Sequence, residues 1–289
     1  MRYREDMHAS SYTELADDIT ALIPGLETAA RTAATEDLRP DARVLLADTY
    51  QATAALMAKL GEADAAWIAA DRAAFTAEAT GDALAVAAAM FRMAHVFLTL
   101  SEISQARQAA ATAIDALRPA ASGKDRTVGA LPLNGACHLV LAIAAAQDND
   151  RGLAHDHLGQ AREIAEQIGE DRDDYGAEFG PSNVAIHGVS VAVILSDAGQ
   201  ALDLAKAIDV SHLSAERPAR YLIDLATAHA TRRQIGEAIH DLQQAEQITP
   251  EQTRTNRVAR DVTRDLLQLS GLRPRPELRE LAERFGVLP

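Results

Sequence analysis

Five alanines, each opening an amphipathic helical stretch, recur along the chain: Ala66, Ala106, Ala154, Ala201 and Ala238. Small or apolar residues follow four and seven places on, as Ala70/Ala73, Ala110/Ala113, Leu158/Ala161, Ala205/Ile208 and Leu242/Ala245. Five places before each alanine stands a polar or glycine break, namely Gly61, Ser101, Asn149, Ser196 and Arg233. Another helical run precedes each break, so every unit reads helix, turn, helix. Such hairpins bury their apolar faces only by stacking on one another. The pattern therefore predicts an all-α chain, a right-handed α-solenoid of tetratricopeptide-like helical hairpins closed by C-terminal capping helices. Aromatic residues make up 4% of the sequence, and few stretches alternate β-branched with polar residues, so sheets are not expected.

The spacings of 40, 48, 47 and 37 residues between those alanines are longer and less regular than the 34 of a tetratricopeptide repeat. The last unit fits that repeat best, with Leu225-Ala226, His229, Ala238, Leu242, Ala245 and Pro250 in order. Residues 1–40 read as an N-terminal helical segment broken at Pro24–Gly25. Asp41 is expected to N-cap the next helix. Residues 41–250 hold the five helix pairs, and 251–289 the cap, with helices near 252–270 and 275–285. Pro119–Gly129 is the longest expected loop.

Charge and composition exclude several function classes. The net charge is −14, which repels phosphate backbones, so this chain is not expected to bind nucleic acid directly. Cys137 is the single cysteine, which leaves no intramolecular disulfide or cysteine-rich zinc site. The N-terminus lacks an apolar signal core and no run of 18 unbroken apolar residues occurs, so the expectation is a soluble, cytoplasmic protein away from membranes. No G-x-S-x-G, phosphate-cradling glycine loop or H-E-x-x-H is present, and no cofactor or metal is expected. His155 and His157 are two apart on a helix and point in different directions. The acidic run Glu170–Asp174 lacks the spaced oxygens of a calcium loop.

Several stretches resemble the C-terminal, tetratricopeptide-like half of actinobacterial helix-turn-helix regulators of the XRE family. They are Trp67–Arg72, Phe91–His95, Glu178–His187 (EFGPSNVAIH), Leu213–Arg220, Ala245–Gln252 and Arg264–Leu267. The F-G-P-S-N-V-x-x-H segment is the most specific of them. The resemblance runs from about Leu45 to the C-terminus and implies a module that senses a signal, or dimerises, to control a DNA-binding domain. Nothing before Leu45 reads as that domain. The chain is then either the sensor half of a longer protein or a free-standing relative. Tyr175-Gly176 and Thr255-Asn256-Arg257 depart from the pattern.

In stacked hairpins the first helix of each pair lines the inner face. The candidate ligand-binding residues there are Asp48 and Gln51, Arg92 and His95, Asn134 and His138, Asn183 and His187, and Arg220 and Asp224. Spacings of three or four place each pair on one helix face. Amides suit backbone-like groups, and Arg92 or Arg220 suits a carboxylate or phosphate. The expected partner is a small molecule or short peptide, with a homodimer or partner protein as a further contact. The local alternative is that Asn183 caps its helix and Arg220 pairs with Asp224. Two other readings stay open. One is a biosynthetic enzyme using His187, His138 and Tyr175 as acid–base groups; the other is a scaffold that docks a partner helix.

Overall fold

The computed structural model describes residues 12–32, 38–60, 62–121, 129–211, 213–271 and 273–288. The described residues are helical apart from turns and one isolated bridge between Arg172 and Phe179. They form two compact units, the first ending at Val184 and the second starting at Ala185.

The first unit contains α1 (Tyr12–Thr32), α2 (Leu38–Leu60), α3 (Ala63–Glu78), α4 (Ala83–Thr99), α5 (Ile103–Ala121), α6 (Ala130–Gln147) and α7 (Arg151–Ile168). A 3-10 turn at Asp174–Gly176 and the start of α8 (Pro181–Ile194) complete it. Helices α2 and α3, α4 and α5, and α6 and α7 pack as hairpins, and each hairpin packs on the next. In the second unit α9 (Ala198–Ala205), α10 (Glu216–Thr231) and α11 (Ile235–Ile248) lead to α12 (Pro250–Thr255), α13 (Arg257–Ser270) and α14 (Pro276–Arg284). Helices α13 and α14 lay Leu266, Leu278, Leu281 and Phe285 against Ala238 and Leu242, all fully buried.

One turn recurs at every hairpin. Ser101, Asn149, Ser196 and Arg233, four of the five break residues, have φ between 58 and 64°. The next residue's N–H bonds the carbonyl five back: Glu102 to Phe97, Asp150 to Ala145, Asp197 to Ala192 and Gln234 to His229, at 2.8–2.9 Å. That is the Schellman motif, which satisfies carbonyls the ending helix would leave bare. Glu62 repeats the bond to Met57; its neighbour Gly61 lies outside the described residues. The same residue then starts the second helix, accepting at its carbonyl the N–H of the register alanine: Glu62 from Ala66, Glu102 from Ala106, Asp150 from Ala154, Asp197 from Ala201 and Gln234 from Ala238. All five alanines are at most 1% exposed. The repeat in the sequence is thus one turn with one packing register.

Several boundaries differ from expectation. Helix α1 continues through Pro24. Ile19, Ile23, Leu26 and Ala30, on both sides of the proline, pack against α2, and that face outweighs one missing hydrogen bond. Helix α2 begins at Leu38, so Asp41 lies in its first turn rather than capping it. Pro40 is tolerated there because first-turn N–H groups have no helical partner. The helix expected over 252–270 is two. Asn256 takes an extended backbone and its side chain accepts from the Ala259 N–H at 3.1 Å, starting α13. Helix α5 runs past Pro119 to Ala121, and residues 122–128 of the expected loop lie outside the described residues. Helix α6 is long and apolar enough to cross a bilayer, but 14 of its 18 residues are buried against protein, as in a core helix.

Candidate functional site

The candidate row begins on α2, where Gln51 is buried and Asp48 half-buried. On α4, Arg92 and His95 share one aromatic neighbour. The His95 ring stands edge-on to Phe91 with centroids 4.7 Å apart, and the Arg92 guanidinium lies 5.9 Å from the same ring. On α6 the row changes character. Asn134 has a buried Oδ1 without a hydrogen-bond partner among the described residues. His138 turns towards its own hairpin partner, its Nδ1 3.2 Å from Nδ1 of His157 on α7. One nitrogen must donate and the other accept, so the pair is stable while at least one ring is neutral. Burial, then His157, pushes His138 down to about 4. Burial, then Arg107, lowers His157 as well, with Asp156 opposing. Asn134 and His138 thus sit on a helix packed on nearly every side, with 14 of its 18 residues buried.

The segment that carries the resemblance most specifically is architectural here. Phe179 is fully buried over Gly135 in the middle of α6, where a Cβ would sit 2.1 Å from its ring. Gly180 approaches Asp171 so closely that a Cβ would fall 2.5 Å from its Cα. Pro181 opens α8. Asn183, 3% exposed, donates from Nδ2 to the Glu178 carbonyl at 2.6 Å, bracing a residue held at φ 45°. Arg172 exchanges backbone bonds with Phe179 and pairs with Asp174 at 2.7 Å. Tyr175, also at positive φ, covers Gly129 at the start of α6. Burial, then Asp82, Asp48 and Asp174, raises its phenol above the ordinary value.

In the second unit His187 is half-buried, Arg220 is exposed, and Asp224 accepts a hydrogen bond from Ser190. Burial raises the Asp224 carboxyl, with Arg220 and Ser190 opposing. Two clusters here escaped the sequence reading. His229 on α10 meets Asp241 on α11 at 2.7 Å, and burial raises Asp241 against the pull of that histidine. Glu246 receives Arg254 at 2.7 Å and Arg284 at 2.8 Å, tying α11 to the helices after it.

A depression opens in the first unit between α1, α2, α3 and α4, with a volume of about 920 Å³. None of the ten row residues lines it. Its wall carries Glu27, Tyr50 and Arg72 in contact: the Tyr50 hydroxyl donates to Glu27 at 2.6 Å and Arg72 reaches Glu27 at 3.1 Å. Burial, then Glu27, raises the Tyr50 phenol, with Arg72 opposing. Phe75 stands at this cavity with 75% of its surface exposed.

These features define a helical-hairpin protein whose polar residues are spent partly on its own architecture. No family model matches the chain, and no curated protein does. Among solved structures, the crystal structure of BtubC (BKLC) from P. vanneervenii is similar in fold. Its TM-score is 0.51 at 14% identity, over 89% of this chain and 93% of that one. At that identity the likeness concerns the fold alone.

Proposed function

We propose that the chain is a cytoplasmic helical-repeat binding module. Its hairpins stack as a right-handed, tetratricopeptide-like solenoid that takes up a small molecule or short peptide and passes the event to a regulatory partner. The observation that carries this reading is the Schellman turn repeated at hairpin after hairpin in the same register as a buried alanine. Units built alike and stacked in one direction serve chiefly as extended binding surfaces. The resemblance to XRE-family sensor halves supplies the regulatory role. A ligand acts by binding one arrangement of the stack, or one dimeric state, more tightly than another.

The acid–base enzyme reading draws less support. The most perturbed histidine, His138, is engaged by His157 across a hairpin and does not line the cavity between α1, α2, α3 and α4. The test is a thermal-shift screen of metabolites and short acidic peptides against the whole chain, followed by calorimetry with Arg92→Ala, His95→Ala and Arg220→Ala. A hit weakened at least tenfold by one of these variants is expected. A screen whose hits all bind the three variants normally refutes the proposal.

A further inference from the structure

We infer that the cavity between α1, α2, α3 and α4 is a binding site for a small amphipathic organic anion, a molecule with an aromatic or acyl body and one carboxylate or sulfonate. The site lies apart from the ten-residue row. It deepens the binding-module reading and rests on it only for the expectation that the chain takes a ligand.

The charge of the site follows from how its arginines are held. Glu27 is engaged by both Tyr50 and Arg72, so the Arg72 charge is already met by a carboxylate. Arg43 and Arg31 are held otherwise. Arg43 donates from Nη1 to the Ala79 carbonyl at 3.0 Å, at the end of α3, and Arg31 donates from Nε to the Glu27 carbonyl at 3.3 Å. Neutral carbonyls orient both guanidiniums without cancelling their charge, and both line the cavity. A planar guanidinium so positioned still offers a donor edge that matches a carboxylate or sulfonate. Three arginines and three carboxylates line the cavity, so in a chain of net charge −14 it is locally neutral, and its preference for an anion rests on the free donor edges of Arg31 and Arg43.

The apolar half of the site is equally specific. Leu46, Ala74, Met90 and Met93 line the same space, and Phe75 presents a largely bare ring to it. A phenylalanine with three-quarters of its surface in water gains from any apolar body laid against it, and methionine adapts to the shape of that body. The volume of about 920 Å³ falls in the range of small-molecule sites. Asp71 and Glu78 also line it and disfavour a dianion or a polyanion, which restricts the guest to a single negative group.

The experiment uses the full chain and two fluorescent probes of like shape: 8-anilinonaphthalene-1-sulfonate, which carries a sulfonate, and N-phenyl-1-naphthylamine, which does not. Saturable binding of the anionic probe at one site is expected. The Arg31→Gln/Arg43→Gln variant should weaken that probe about tenfold while changing the neutral probe less than twofold. Phe75→Ala should weaken both, and Leu204→Ala, an exposed apolar control in the second unit, neither. Circular dichroism melting of each variant must match the parent, since Arg31, Phe75 and Leu204 are exposed and Arg43 is only half-buried. Equal affinity for the two probes, or anionic binding unaffected by the arginine variant, overturns the assignment. So does competition by an acidic peptide in place of small aryl acids. A failure here leaves the Arg92, His95 and Arg220 test standing, because the two tests share no residue.

Discussion

Replacing Gly135 by alanine sets two effects of opposite sign against each other. Glycine inside a helix costs about 1 kcal/mol relative to alanine, so in an otherwise empty site the substitution stabilises α6 by about that amount. Here the new Cβ would lie 2.1, 2.4 and 2.6 Å from three ring atoms of Phe179. Ordinary contact begins near 3.4 Å. The ring must therefore retreat by more than an ångström, yet it is 0% exposed and tied by backbone bonds to Arg172. Overpacking of this kind costs about 1–3 kcal/mol, and expelling a buried phenylalanine about 3–5 kcal/mol. The net expectation is a loss of about 2–4 kcal/mol, the clash exceeding the propensity gain. In a Phe179→Ala background the clash vanishes, and the same substitution should become stabilising by about 1 kcal/mol. Urea unfolding followed by the fluorescence of Trp67, the single tryptophan, reports on the unit that contains both residues. A Gly135→Ala effect of the same sign and size in both backgrounds would refute the account of this notch.

The His138–His157 contact makes stability depend on pH. His138 falls from 6.5 to about 4, so the unfolded chain takes up the proton first and this group's stabilisation, complete above pH 6.5, is lost as pH drops towards 4. The interval corresponds to about 3 kcal/mol at most, and His138→Gln should flatten the slope of unfolding free energy between pH 6.5 and 4; parallel slopes in the two proteins would exclude it. Non-glycine residues at left-handed turns carry strain that asparagine tolerates best. Ser196→Gly and Arg233→Gly should raise stability by about 0.5–1 kcal/mol, whereas Asn149→Gly should change it little, as read from melting temperatures. Burial raises the Glu246 carboxyl, but the bonds from Arg284 and Arg254 outweigh it and hold it below the ordinary range. Its contribution is present above pH 4.5 and lost on acidification. Glu246→Gln should cost about 2 kcal/mol at neutral pH and speed amide exchange in α14; unchanged exchange there would show that the clamp is idle.

The fold was legible where its signals are local. Helical period and turn chemistry occur within ten residues, so Ser101, Asn149, Ser196 and Arg233 could be picked out as breaks before any geometry was known. Their left-handed φ values follow from the need to end one helix and start the next within a few residues. The site residues were less legible because a helix face says where a side chain leaves the backbone, not what waits across the hairpin. His138 meets His157 at a separation of 19 residues. A search confined to His155 and His157 on one helix could not find that contact. Gly135 did offer a signal: a glycine costs stability mid-helix, so one inside an apolar run asks for a bulky neighbour, and Phe179 in the family-like segment is that neighbour. The arginines of the cavity come from three helices, and no periodicity joins them.

These contacts narrow where the first unit can bind. A polar side chain on a first helix has three fates: burial, engagement by a neighbouring hairpin element, or access to a guest. Gln51 and Asn183 take the first, Asn183 bonding the loop ahead of its own helix, and His138 the second. Arg92 and His95 are half-buried on α4 and gathered around Phe91. The cavity with Arg31, Arg43 and Phe75 uses none of them. A ligand found by screening should therefore respond to one group and not the other. Loss of affinity in Arg92→Ala with an unchanged Arg31→Gln/Arg43→Gln variant assigns it to the row, and the reverse assigns it to the cavity. Equal losses of tenfold or more in both, with melting temperatures preserved, would mean that the two places are one coupled site, and the separation argued from their linings would be wrong.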